Sequence, residues 1–242
     1  MTAIDPKAVL GDISGGRVLD VATGTGGFVQ FLLDGLRDHA EIVGIDTNGE
    51  RVAAFSAAFV DRTDVRFEQM DAHHLVFPDG SFDSVCVSNS LHHFADPAPV
   101  LAEMLRVLRP GGHLIVNEMY RDGQSETQTT HVLLHHWWAS VGTLRGEVHR
   151  ETYRRDEIVE IVEGLGLAAM RFFDAMRFFD LADPDEDPHD PETVAELEAT
   201  IDHYVALAEG HPELQACGKA LRARLREVGV RGATQLVAIG RA

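Results

Sequence analysis

The amino-acid sequence predicts a doubly wound α/β fold, and two observations carry that reading. Over the first 120 residues short apolar runs alternate with helical patterns, the rhythm of βαβ units whose parallel strands are covered on both faces. A glycine-rich turn follows the first apolar run, where such folds offer a strand end to a ligand. RVLDVA (17–22) reads as the first strand, followed by Gly24, Gly26 and Gly27 and then FVQFLLDGL (28–36) at helical spacing. EIVGID (41–46) is a second strand, 50–60 a helix, VRFEQ (65–69) a third strand and FDSVCVS (82–88) a fourth. A helix over 98–108 leads to a fifth strand, GHLIVNE (112–118). The rhythm then breaks. A helix over 125–144 is inserted, 156–164 is amphipathic with acids in its first turn, and 167–173 is a sixth strand. An acidic, proline-broken connector (180–190) precedes helices over 192–209 and 213–228, and QLVAIG (235–240) closes as a strand. No linker interrupts 1–242, so the expectation is one domain with helical insertions at 120–155 and 180–232. AMRFFD occurs twice in tandem, at 169–174 and 175–180; this is far short of the period of a repeat protein, and no function attaches to it.

Composition narrows the function classes. The 242 residues are 45% hydrophobic and 25% charged, ordinary for a soluble globular protein. No apolar run approaches the ~20 residues that span a bilayer, and the N-terminus lacks the basic-then-apolar order of a signal peptide. The only cysteines are Cys86 and Cys217, which fits free thiols in a reducing, cytoplasmic compartment. A net charge of −18 repels phosphate backbones and anionic membranes. The expected partner is therefore a small molecule, neither nucleic acid nor membrane, and a homodimer stays open. The basic stretch ALRARLRE (220–227) reads as a solvated helix face.

VLDVATGTGGF (18–28) joins a buried strand to a helix through a turn in which Gly24 and Gly26 let the backbone approach a ligand. A bare glycine loop suits a phosphate equally well. Asp20 decides against one: a carboxylate beside the loop repels pyrophosphate and suits a cation, and the lysine of a P-loop is absent. Asp46 ends the second strand, where an acid accepts from ribose hydroxyls, and Asp71 follows the third. Each acid alone is an ordinary turn residue; at three successive strand ends they mark one crevice.

These segments, with VGIDTN, QMDAHHLVFPDGSFDSVCVSNSLHHF and MLRVLRPGGHLIVNE, resemble the class I S-adenosylmethionine-dependent methyltransferases of the small-molecule type, over 18–118. The resemblance implies a Rossmann-like, seven-stranded, mostly parallel sheet with its last strand antiparallel. It implies S-adenosylmethionine as cofactor, with Asp20, Ala22, Gly24, Thr25 and Gly26 around the methionine portion. Asp46 and Thr47 would lie at the ribose, Asp71 and Ala72 at the adenine, and Ser88 and Asn89 beside the methionine end. The motif of base-amino methyltransferases is missing after the fourth strand, where SNSLHH stands. The segment before residue 18 is short, so the cover over the substrate is expected from the two insertions.

HVLLHHWW (131–138) lies in that cover. At about 100° per residue His131, His135 and Trp138 share a stripe, beside an apolar arc of Leu133, Leu134, Trp137, Val141 and Leu144 that would pack on the body of the protein. Three readings stand together: packing, base or substrate-binding histidines, and a metal site of His131 and His135 at i, i+4 with His149 or Glu118. With no cysteine cluster or HExxH motif, no metal is expected. His93 is the first choice of general base, His92 has a structural role, and Glu118 orients the substrate. Trp137, Trp138, Tyr120, Phe94 and Tyr153 are candidate walls, and His73 and His74 are solvated loop residues. The function expected is methyl transfer to an O, N or S nucleophile of a small acceptor, against a cofactor-binding regulatory module without catalysis, a metal-assisted methyltransferase using the lid histidines, or a different dinucleotide enzyme.

Overall fold

The computed structural model describes residues 6–175 and 187–242. Seven strands form one sheet in the order β3-β2-β1-β4-β5-β7-β6: β1 (Arg17–Val21), β2 (Glu41–Asp46), β3 (Val65–Gln69), β4 (Phe82–Ser88), β5 (Leu108–Met119), β6 (Ala168–Ala175) and β7 (Gln235–Arg241). β1 to β5 pair in parallel, and β7 lies antiparallel between β5 and β6. The strand order reverses between β1 and β4, which opens a crevice at their carboxyl ends. β5 starts earlier than the sequence suggests, because Leu108 already pairs with Phe82 before the register shifts across the RPGG turn.

Central strands are apolar on both faces, as a sheet covered twice requires. In β1 only Arg17 is not fully buried. One face packs a core of Leu19, Val43, Val85, Met104 and Val116 against α4 (Pro97–Val107) and α6 (Arg155–Glu163). The other packs Val18, Ile42, Cys86 and Ile115 against α1 (Pro6–Leu10), α2 (Gly27–Gly35) and α3 (Arg51–Ala58). α4 starts where Asp96 accepts from the Ala98 amide and Pro97 fixes the first turn.

Three helices stand apart from these layers: α5 (Glu126–Leu144), α7 (Pro191–Leu207) and α8 (Pro212–Val228). α5 begins with a capping box, Gln128 N–H donating to Ser125 Oγ and Ser125 N–H to Gln128 Oε1. The three share a core of their own, built from Leu134, Trp137, Val141, Leu197, Ile201, Leu221 and Leu225. The apolar arc of α5 therefore packs on α7 and α8, not on the body of the sheet as its sequence suggests. Leu133 and Leu144, assigned to that arc, are exposed at 39% and 43%. Most of the 180–190 connector and the second AMRFFD copy lie outside the described residues.

Candidate active site

Two cavities meet at the carboxyl ends of β1 and β4. The first, about 210 Å³, is lined by Asp20, Ala22, Gly24, Thr25, Ser88 and Asn89, together with Thr23, Gly27, Phe28, Arg51 and Ser90. Gly24 and Gly26 have φ of +59° and +92°. A Cβ on Gly26 would lie 2.3 Å from the Phe59 ring, so only glycine closes this turn. Ala22 and Asn89 also hold left-handed φ, +56° and +44°, at the ends of the two strands that flank the crevice. Strained non-glycine residues of this kind persist where the surroundings fix them.

Asp20 is 1% exposed. Its Oδ2 accepts from Thr23 Oγ1 at 2.6 Å, while Oδ1 is buried without a partner. Burial, with the charge of Asp46 adding to it against the Thr23 bond, pushes its pKa up to about 7. A buried carboxylate oxygen lacking a donor is a seat for a cationic ligand group, and the residues present fit the ammonium of S-adenosylmethionine. Asp46 holds the loop: it accepts from the Gly24 amide at 3.0 Å and the Asn48 amide at 2.9 Å, and pairs with Arg51 at 3.5 Å. Asp46 and Asp71 both follow neighbouring strands at the same edge, where the Met70 amide donates to the Asp46 carbonyl.

Asp71 is exposed and does not line the cavity; its Oδ1 is taken up by the amide and ring Nδ1 of His73. Ala72 is buried in the sheet core instead, and Thr47 turns its carbonyl to Gln69 Nε2. Gly26 shapes the turn without lining the cavity. Arg51 escaped sequence reasoning, although its place as the first residue of α3, just past the turn after β2, puts its side chain on the cavity wall.

The second cavity, about 340 Å³, lies between the sheet edge and the three outer helices. Asn89, His92, Met119 and Gln235 line it from below, His131, His135 and Trp138 from α5, and Thr193, Glu196, Leu197 and Thr200 from α7. Asn89 belongs to both cavities. Its side chain is locked, Nδ2 donating to Gln235 Oε1 at 3.1 Å and Oδ1 accepting from the Met119 amide at 2.9 Å.

Glu118 is buried behind this wall, not in the cavity, which corrects its expected role as a substrate ligand. Its Oε2 accepts from the Ser90 and Leu91 amides at 3.1 and 2.9 Å, and Oε1 holds His92 Nδ1 at 2.5 Å. Glu118 thereby fixes the turn carrying SLHH, and leaves His92 Nε2 facing His135 Nε2 at 3.0 Å. His149 Nε2 approaches His135 Nε2 at the same distance from the loop after α5. Burial, then neighbouring imidazoles, hold the His135 pKa well below the usual imidazole range. Burial alone pushes His131 down to about 4, and its Nδ1 accepts from the Ala233 amide at 2.9 Å. That bond fixes the tautomer with the proton on Nε2, so of the readings left open for His131 the geometry favours a hydrogen-bond donor over a base.

His93, the first choice of base, does not line the acceptor-side cavity; its exposed ring stacks on His92 and His149. His136 bonds Thr152 away from the site. Of the five expected aromatic walls only Trp138 lines the cavity. Trp137 belongs to the outer helical core, where Nε1 donates to the Leu214 carbonyl at 2.9 Å. The Tyr120 hydroxyl turns to Asp174, Phe94 packs on His73, and Tyr153 joins the sheet core.

A glycine loop at the strand-order switch, a buried carboxylate with one unpartnered oxygen and an adjoining cavity thus stand together at one edge of the sheet. The family model described as a methyltransferase domain matches residues 19–116. That stretch, which carries β1 to β4 and most of β5, is where the chain is similar to S-adenosylmethionine-dependent methyltransferases. The demethylmenaquinone methyltransferase of Deinococcus radiodurans is 45% identical over 103 residues, which are 42% of this chain and 42% of that one. The chain thus covers less than half the length of the curated relatives it matches.

Among solved structures, the [4+2]-cyclase SpnF aligns with a TM-score of 0.62 at 22% identity, over 98% of this chain and 78% of that one. Phosphoethanolamine N-methyltransferase 2 of Haemonchus contortus, complexed with S-adenosylhomocysteine, aligns at 0.55 and 17% identity, over 94% of this chain and 49% of its own. Likeness at this level concerns the fold. The family match ends at residue 116, before α5, and so does not reach the helices over the second cavity.

Proposed function

We propose that the chain methylates a small hydroxylated aromatic acceptor seated in the second cavity. The observation that carries this reading is Asn89, which lines both cavities and so sets the acceptor directly against the methyl-donor end of the first. When bound, S-adenosylmethionine supplies the methyl group, its carbon–sulfur bond breaking with the electron pair left on sulfur. Asp20 and Arg51 take the ammonium and carboxylate of its amino-acid end, and Asp46 and Thr47 face the ribose.

On the acceptor side Met119, Trp138 and Leu197 pack on the ring. The His131 Nε2–H donates to an acceptor oxygen, and the facing ring nitrogens of His92 and His135 receive the hydroxyl proton. α5, α7 and α8 act as the lid that excludes water from the displacement. About 340 Å³ suits a ring with short substituents. A quinol head group, as the names of curated relatives indicate for those proteins, is one member of this class.

The test is release of S-adenosylhomocysteine from purified chain and S-adenosylmethionine with panels of phenols, hydroquinones, amines and thiols. Turnover with hydroxylated rings is expected. Turnover confined to amines or thiols overturns the acceptor class. Tight cofactor binding without product from any panel favours the reading as a module that performs no methyl transfer, and the cyclase neighbour shows that this fold accommodates other chemistry.

A further inference from the structure

The geometry points to a transition-metal site in the histidine cluster on the acceptor-cavity wall: His92, His93, His135 and His149 hold a divalent ion of the zinc class. This deepens the reading of the second cavity as the acceptor's.

His92, His93 and His149 each offer a ring nitrogen, and those atoms lie within 4.8 Å of one another. His135 adds its Nε2 at 3.0 Å from Nε2 of both His92 and His149. Proton counting argues that these contacts are more than hydrogen bonds. A neutral imidazole has one N–H and one lone pair. The Glu118 carboxylate draws the His92 proton to Nδ1 and leaves Nε2 bare. His135 Nε2 then faces two nitrogens with a single proton or a single lone pair, and serves only one contact well. A cation at that point accepts a lone pair from every ring.

The spacing agrees. With metal–nitrogen bonds of about 2.0–2.1 Å in a tetrahedral set, neighbouring ring centroids fall roughly 5 Å apart. The observed separations are 4.9 Å for His92–His135, 4.8 Å for His135–His149 and 5.4 Å for His92–His149. His93 stacks closer, at 4.4 Å from His92 and 4.1 Å from His149, and its ring nitrogen already belongs to the group of three.

The supporting shell is also present. Metal-bound histidines usually donate their other ring N–H to a carboxylate or a backbone carbonyl. Glu118 holds His92 in this way. The ligands come from three places: the turn after β4, α5, and the loop after α5. An all-imidazole set suits zinc, copper, nickel or iron better than magnesium or calcium. Because His92 and His135 line the second cavity, an ion there borders the acceptor. With the ion bound, those imidazoles have no free lone pair for the hydroxyl proton, which leaves to solvent instead, and the ion's charge would stabilise the acceptor's oxyanion.

The test is titration of chelator-stripped full chain with Zn²⁺ by calorimetry and with Co²⁺ by visible absorption, without acceptor. One ion per chain is expected, with the intense d–d bands of tetrahedral nitrogen ligation. His149→Ala, in a loop, should weaken binding at least 100-fold while S-adenosylmethionine affinity is unchanged. Glu118→Gln should weaken it 10–100-fold. No binding at tens of micromolar metal, or equal binding by folded His149→Ala, overturns the site. Metal binding that His149→Ala abolishes, alongside no turnover of any phenol, would keep the site and remove the acceptor assignment instead.

Discussion

At the scale of single residues the site depends on Asp20, a buried acid with one unpartnered oxygen. Its folded pKa of about 7 lies above the ordinary value of 3.8. Its contribution to stability is therefore full below 3.8 and is lost as pH rises through about 7. Cofactor binding runs the other way, because the ammonium needs the carboxylate. S-adenosylmethionine affinity measured by calorimetry should rise from pH 6 to pH 8 and then level off. Asp20→Asn should flatten that profile and weaken binding about 10–100-fold, the worth of a charge-assisted hydrogen bond of about 1.5–3 kcal/mol. The midpoint of thermal unfolding without ligand should not fall. Asp20 stood out in the sequence because a carboxylate beside a glycine loop has few other uses. Arg51 did not, since nothing in a helical ERVAAF pattern separates a cavity-facing arginine from a solvated one. The readings of His131 stayed open for a related reason: spacing does not show which ring nitrogen a backbone amide has already claimed.

At the scale of elements most of the strand and helix sequence was legible, because period-2 and period-3.6 patterns and caps are local signals; α1 (Pro6–Leu10), too short to show a period, and the early start of β5 were not. The destination of α5 was not. Its apolar arc is the same whether it meets a sheet or two helices, and only the later segments α7 and α8 decide. Their mutual core predicts separable effects. Ile201→Ala, fully buried between these helices, should cost about 2–5 kcal/mol of local stability. In hydrogen exchange α5, α7 and α8 should lose protection while β1 and β4 keep theirs, and acceptor turnover should fall with cofactor affinity retained. Ser125→Ala removes one bond of the capping box and should cost about 1 kcal/mol, read as faster exchange confined to the first turn of α5.

At the scale of the whole molecule the excess of acids dominates. With a formal charge of −18, self-repulsion opposes compaction, and salt screens it over a Debye length of ~10 Å at 0.1 M. The melting temperature should therefore rise as sodium chloride increases from 10 to 150 mM at neutral pH; a flat response would mean that the ion pairs along the surface already balance the field. The shared wall at Asn89 has a further consequence for how this scaffold could change its chemistry. One amide, held in a left-handed bend and clasped by Gln235, serves two tenants, so altering it would disturb both at once. Redirecting the enzyme toward a bulkier guest should begin at Thr193 and Thr200, which border only the guest's side and can be trimmed while the donor stays where it is.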